Sequence, residues 1–300
     1  MSASNFAVRK VVDYYTANGS NVNLCTIDLA SAFDRINYCL LFTKLMEIKL
    51  PKNVITVLVN WYSKLFSVVK WGTTYSNIFQ INQGVRQGGV ISPLFFAIFV
   101  DNVLHKLMKS KLGCYINYVC MNSFMYADDL LLLSISLHDL QKLIDLCVIE
   151  FNNIGMTINI NKSACLRIGS RHNNKVMRIV IKETELEWKN EIRYLGGFIT
   201  SAKSFTINLQ HIRHQFFMWL NAVLGKISNA SRAVLVALIE STVFKFYYLR
   251  VNVFSGKTVC LAAWNLHSLC KFHAAKHTVF PNLFIFYQIY PKIFKSLITK

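Results

Sequence analysis

Residues 124–133 read Phe124-Met125-Tyr126-Ala127-Asp128-Asp129-Leu130-Leu131-Leu132-Leu133. Strand-forming residues flank a pair that strands disfavour, so the stretch predicts a tight β-hairpin with Asp128-Asp129 at its tip. Burial of the flanks would hold the tip rigid. Adjacent carboxylates repel unless a cation or a basic partner offsets them. A divalent metal is the natural resolution, and it calls for a third carboxylate from elsewhere in the chain.

Asp28 supplies one. It lies near the end of residues 22–29 (VNLCTIDL), which read as a buried strand, where a charge needs a reason. A strand-end carboxylate beside a hairpin-tip pair is a workable cage for two Mg²⁺, which prefer hard oxygen ligands and keep waters and substrate phosphates in their shells. Such ions activate an attacking hydroxyl and stabilise a leaving pyrophosphate. A strand-end Asp also serves as a helix cap or turn former, so the local pattern leaves both readings open.

The bulk properties narrow the class. With 300 residues the chain has ample length for a core, in one large domain or two smaller ones. At 53% hydrophobic and 13% aromatic it is globular, not disordered. Lys and Arg number 33 against 15 Asp and Glu, a formal charge of +18 that must spread over a broad basic surface. Nucleic acid or an anionic membrane surface suits such a surface. The eight cysteines show no Cys-x-x-Cys spacing and lie mostly in apolar contexts, as expected of buried thiols in a reducing compartment. Ser2-Ala3-Ser4-Asn5 follows Met1 without an apolar run, so no signal peptide is expected and the chain is read as intracellular, nuclear or cytoplasmic. The apolar runs at 90–104, 130–135 and 233–254 are broken by Pro93 and Asp101, too short, or interrupted by Glu240, Lys245 and Arg250. None offers about 20 uncharged residues, so they read as core and no membrane segment is expected.

Taken in order, residues 5–17 predict a helix ended by Asn18-Gly19-Ser20, then the strand bearing Asp28 and a helix over 36–48. Pro51 opens another helix with Ile55, Leu58, Val59 and Tyr62 on one face. Residues 66–82 predict a hairpin turning near Gly72. The loop Gln83-Gly84-Val85-Arg86-Gln87-Gly88-Gly89 leads to Ser92-Pro93, read as an N-cap with Pro at N1, and a helix to about 109. Ser136 caps a helix ending at Gly155. Short strands are expected near 157–168, 177–182 and 191–200, then helices over 205–227 and 231–249. The order predicts an α+β body with a helical appendage.

Five stretches, in order, resemble the motifs of reverse transcriptases of non-LTR (LINE-type) retrotransposons. They are Thr26–Arg35 (TIDLASAFDR), Gly84–Leu94 (GVRQGGVISPL), Tyr126-Ala127-Asp128-Asp129, Gly155-Met156 through Asn159, Asn161 and Lys162, and Tyr194-Leu195-Gly196-Gly197. Ala-Asp-Asp alone is a weak signal, but five ordered matches are specific.

The resemblance implies a right-hand polymerase palm, an antiparallel sheet backed by helices, followed by a helical thumb-like region. Residues 1–200 would be the palm with residual fingers, and 201–300 a thumb or connection remnant. It implies RNA-directed DNA polymerisation with two Mg²⁺ ions, or Mn²⁺ in their place. The partners would be an RNA template, a DNA primer and deoxynucleoside triphosphates. Asp28 and Asp128 would bind both metals and Asp129 complete the site. Phe33 would be a steric gate against the 2′-hydroxyl, although its local sequence by itself favours a core Phe capping the turn. Gln87 and Gly88 would lie along the nascent base pair, and Lys162 would reach the leaving pyrophosphate. Arg86 would contact the template, and Tyr194, Leu195, Gly196 and Gly197 the primer backbone. Asp34 is read as structural.

Family members carry fingers upstream of the first motif, whereas 27 residues precede Asp28 here and read as one helix. The expectation is therefore a chain truncated at its N-terminus, lacking fingers and endonuclease. An alternative is an inactive remnant that only binds nucleic acid. Cys260, Cys270, His273 and His277 contain a helical His pair, but the Cys spacing fits no zinc-finger pattern and zinc is disfavoured.

Overall fold

The computed structural model describes residues 2–174, 177–208 and 210–226. Helix α1 (Ser2–Ala17) precedes β1 (Val22–Leu29), a 3₁₀ turn at Ala32–Arg35, α2 (Tyr38–Glu47) and α3 (Lys52–Tyr62). Four short strands follow: β2 (Phe66–Ser67), β3 (Lys70–Trp71), β4 (Thr74–Tyr75) and β5 (Phe79–Gln80). Then come α4 (Ser92–Lys109), β6 (Tyr115–Ile116), β7 (Val119–Cys120), β8 (Ser123–Tyr126), β9 (Asp129–Ser134), α5 (Leu137–Asn153) and β10 (Ile158–Ile168). The described chain ends with β11 (Val180–Ile181), β12 (Thr184–Glu185), β13 (Glu187–Trp188), β14 (Glu191–Tyr194), β15 (Gly197–Thr200), β16 (Thr206–Asn208) and α6 (Gln210–Lys226).

The described parts of Met1–Thr26, Ala164–Val176 and Glu187–Lys300 form one compact unit, and Ile27–Ser163 with Met177–Leu186 form another. Strands β1 and β10 each run through a boundary between them.

The unit of Ile27–Ser163 holds the end of β1, which lies next to β9, with β8 on the outside. β8 and β9 pair antiparallel from Ser123↔Leu132 to Tyr126↔Asp129. Leu131, Leu132 and Leu133 are 0% exposed and Leu130 is 1% exposed. Each such side chain contributes about 1.5–3 kcal/mol on burial, so the four leucines anchor the hairpin firmly. α5 packs on β9 and α4 on β8, and the two helices pack together. α4 turns Phe95, Phe96, Phe99, Val100, Val103 and Leu107 inward, at helical spacing. α5 does the same with Leu140, Leu143, Ile144, Cys147 and Phe151, and its cap is the expected one: the Ser136 side chain accepts from Asp139 N–H. Gly72 lies in the turn of the β3–β4 hairpin, nested within the β2–β5 pairing, as expected.

In the other unit, β13 pairs parallel with β10 (Ala164↔Glu187, Cys165↔Trp188). β14, β15 and β16 make a separate antiparallel sheet. Arg167 Nε donates to Asn23 Oδ1 at 2.8 Å, and its guanidinium lies over the Trp188 ring.

Several expectations need correction. Ser92 begins α4 instead of capping it; its hydroxyl donates to the Arg86 carbonyl at 2.7 Å. Residues 206–208, read as helical, form β16 because Thr206, Ile207 and Asn208 find backbone partners on β15. The strand expected near 177–182 is half of the β11–β12 hairpin. The helix over 231–249, the tail, and Cys260, Cys270, His273 and His277 lie outside the described residues. Among the described residues no helix is long and apolar enough to cross a membrane. Cys114, Cys147 and Cys165 are buried as expected, and burial pushes the Cys114 thiol up to about 12, which keeps it unreactive.

Candidate active site

The hairpin tip is a two-residue loop, Ala127-Asp128, closed by the Tyr126↔Asp129 pair. Asp129 is thus the first residue of β9 and not part of the turn. Ala127 holds φ at +51°, a left-handed conformation that costs a non-glycine residue about 1 kcal/mol or more. Asp128 is half-buried and Asp129 exposed.

Asp28 sits on β1, one residue before its end. Its N–H donates to Ser163 Oγ at 3.1 Å, and that hydroxyl donates to the Asn159 carbonyl at 2.8 Å. The relay ties the Asp28 backbone to β10, the strand that carries Lys162. Burial raises the Asp28 carboxyl above its ordinary value; Lys162 pulls it down, and Asp128 pushes it up again. Asp128 and Lys162 thus each lie within electrostatic reach of Asp28. Burial is the chief burden on the Asp28 carboxylate, and a cation beside it would relieve that burden.

Among the described residues no three or more His, Cys, Asp or Glu side chains form a ready-made metal cage. The donor set nevertheless fits magnesium, which is commonly held by one or two carboxylates and completes its shell with water and substrate phosphates.

The turn after β1 is strapped to the glycine loop. Val85 N–H donates to the Phe33 carbonyl and Gly84 N–H to the Ile36 carbonyl, both at 2.8 Å. The Tyr38 hydroxyl donates to the Gly84 carbonyl at 2.8 Å. The Phe33 ring is half-buried and stacks on Phe96, with centroids 4.9 Å apart and planes at 27°. Arg86, Gln87 and Gly88 are exposed on the loop, and Gly88 has φ +80°. The Arg86 carbonyl accepts from both Ser92 Oγ and Gly89 N–H, which fixes the loop onto the start of α4. Tyr38 and Phe96 escaped the sequence reading, since each is indistinguishable there from an ordinary helix residue facing the core.

Tyr194, Leu195, Gly196 and Gly197 belong to the other unit. Tyr194 pairs with Gly197, and Leu195 (φ +49°) and Gly196 (φ +81°) make the two-residue turn between them. Both positive φ values mark a type I′ geometry. Tyr194, Leu195 and Gly197 are buried, and Gly196 is the exposed residue of this turn.

The family model for reverse transcriptase (RNA-dependent DNA polymerase) matches residues 2–199. The chain belongs to the reverse transcriptase family. The match reaches back over α1 as well as covering the motifs from Asp28 onward. Among relatives of this reverse transcriptase domain is the Pol polyprotein from the type-2 retrotransposable element R2DM of Drosophila melanogaster. It is 26% identical over 183 residues, covering 58% of this chain and 17% of that protein. The RNA-directed DNA polymerase from mobile element jockey of Drosophila funebris is 24% identical over 256 residues, covering 78% of this chain and 26% of its own length. The domain therefore spans about a quarter or less of these relatives, which are non-LTR retrotransposon polymerases, as the motifs suggest. Apo telomerase from Candida tropicalis, truncated from its C-terminal domain, aligns with a TM-score of 0.51 at 16% identity, covering 68% of this chain and 39% of that one. That likeness speaks for the fold, and the fold is the mixed helix-and-sheet polymerase palm.

Proposed function

We propose that this chain carries the catalytic palm of an RNA-directed DNA polymerase, extending a DNA primer on an RNA template with deoxynucleoside triphosphates. What supports this most directly is the family match across the Asp128 hairpin, together with Asp28 held on β1 by Ser163 and within electrostatic reach of Asp128 and Lys162. Residues 1–200 would be the palm and 201–300 a thumb-like region.

In this reading Asp28 and Asp128 hold two Mg²⁺ ions, or Mn²⁺ in their place, with Asp129 completing the set. When bound, such ions make the primer hydroxyl a better nucleophile and stabilise charge on the leaving pyrophosphate. The residues of the chain do the rest. The Ser163 relay fixes the Asp28 backbone and so limits how far its carboxylate can move as charge develops. Lys162 offers a proton or a counter-charge to the pyrophosphate. The Phe33 ring meets the sugar and excludes a 2′-hydroxyl. Gln87 and Gly88 lie along the nascent base pair, where glycine lets backbone approach closely. Arg86 binds template phosphate, and the turn from Tyr194 to Gly197 supports the primer backbone. The excess of basic residues supplies the non-specific grip on nucleic acid. The test is primer extension on an RNA template, with Asp28→Asn and Asp128→Asn as the variants that abolish it.

A further inference from the structure

A steric gate discriminates only if it cannot swing aside when the wrong sugar presses on it. The Phe33 side chain is only partly buried, so burial alone does not fix its rotamer. Its stack on Phe96 does. Phe96 is 1% exposed and shares the inward face of α4 with Phe95, Phe99 and Val100, so close packing fixes its rotamer. The backbone under Phe33 is fixed independently, by the Val85 N–H on its carbonyl and by the Tyr38 hydroxyl on Gly84. With the backbone held, the remaining freedom of Phe33 is rotation of its side chain, and the stack on Phe96 restricts that rotation on one side.

We propose that Phe96 is a positioning residue for sugar selection: it holds the Phe33 ring against the 2′ position of the incoming nucleotide, so that rejection of ribonucleotides belongs to the stacked pair and not to Phe33 alone. This rests on the polymerase reading above. Phe96 touches no substrate; it acts through Phe33. The same turn is bonded to the loop of Gln87 and Gly88, so the gate and the base-pair contact share one support.

The test is single-nucleotide incorporation by the full chain on an RNA template, with a deoxynucleotide and the matching ribonucleotide. Wild type, Phe33→Ala, Phe96→Leu and the double variant are compared by the ratio of the two kcat/KM values. Phe96→Leu keeps an apolar side chain in the core but removes the stack, and should raise relative ribonucleotide use roughly 3–10-fold. In the Phe33→Ala background it should add nothing, because the ring it positions is gone. Phe96→Met serves as the second variant if the leucine side chain disturbs folding. An unchanged ratio in Phe96→Leu, or an equal effect with and without Phe33, overturns the proposal. Absence of deoxynucleotide incorporation by the wild type overturns the polymerase reading instead, and this proposal with it.

Discussion

A Cβ on Gly84 would stand 2.8 Å from the carbonyl oxygen of Asp34, and Gly84 holds φ at +88°. The obstacle is backbone, so no side-chain rotation relieves it. The turn after β1 and the glycine loop can touch only because this residue has no side chain. Gly84→Ala should cost on the order of 2–4 kcal/mol and lower the melting temperature by several degrees. Thermal unfolding checks this, and a variant that melts with the wild type would show that the strap is not tight.

Asp28 is held above its ordinary value of 3.8, chiefly by burial. A carboxyl raised in the fold binds protons more readily there than in the unfolded chain. Stability therefore falls as pH rises from the ordinary value through the raised one. In the absence of metal, Asp28→Asn should raise the melting temperature at neutral pH, and the gain should shrink under acid, where Asp28 is protonated in both states. Melting curves with a chelator, from neutral to acidic pH, measure this. A variant no more stable than wild type at neutral pH would contradict the strained-carboxylate account.

Lys162 is what pulls the Asp28 carboxyl down. Lys162→Ala removes that influence, so Asp28 should titrate higher still. In the metal-free chain the Asp28 titration, followed by NMR, should move to higher pH, and activity with Mg²⁺ should fall from the missing counter-charge. A rate loss with an unmoved titration would leave Lys162 acting on the pyrophosphate only.

The hairpin was legible in the sequence because its flanks are apolar at every position and its tip is not. The strand of Asp28 and the Ser136 cap were legible for similar reasons: each pattern is local. The loop was harder. Ser92 followed by Pro93 has the form of a cap, yet the Ser92 hydroxyl is recruited by the Arg86 carbonyl, six residues upstream. Tyr38 and Phe96 act across the fold, on Gly84 and Phe33. Spacing along one chain carries no sign of such contacts. Residues 206–208 form a strand only because β15 offers an edge for them to pair with.

Ala127 pays for a left-handed conformation that glycine adopts freely. Ala127→Gly should relieve the tip and stabilise the fold by about 0.5–1 kcal/mol, read as a small rise in melting temperature. A fall would mean that the Ala127 side chain makes contacts worth more than the strain.

The proposed role of Asp28 and Asp128 is nucleotidyl transfer. It is tested most directly by extending a DNA primer on an RNA template with Mg²⁺, comparing the wild-type chain with Asp28→Asn and Asp128→Asn. The account predicts RNA-templated incorporation by the wild type and a loss of at least about 1,000-fold in either variant, with salt-sensitive RNA binding retained in all three. Incorporation that survives either substitution, or none in the wild type, would contradict it.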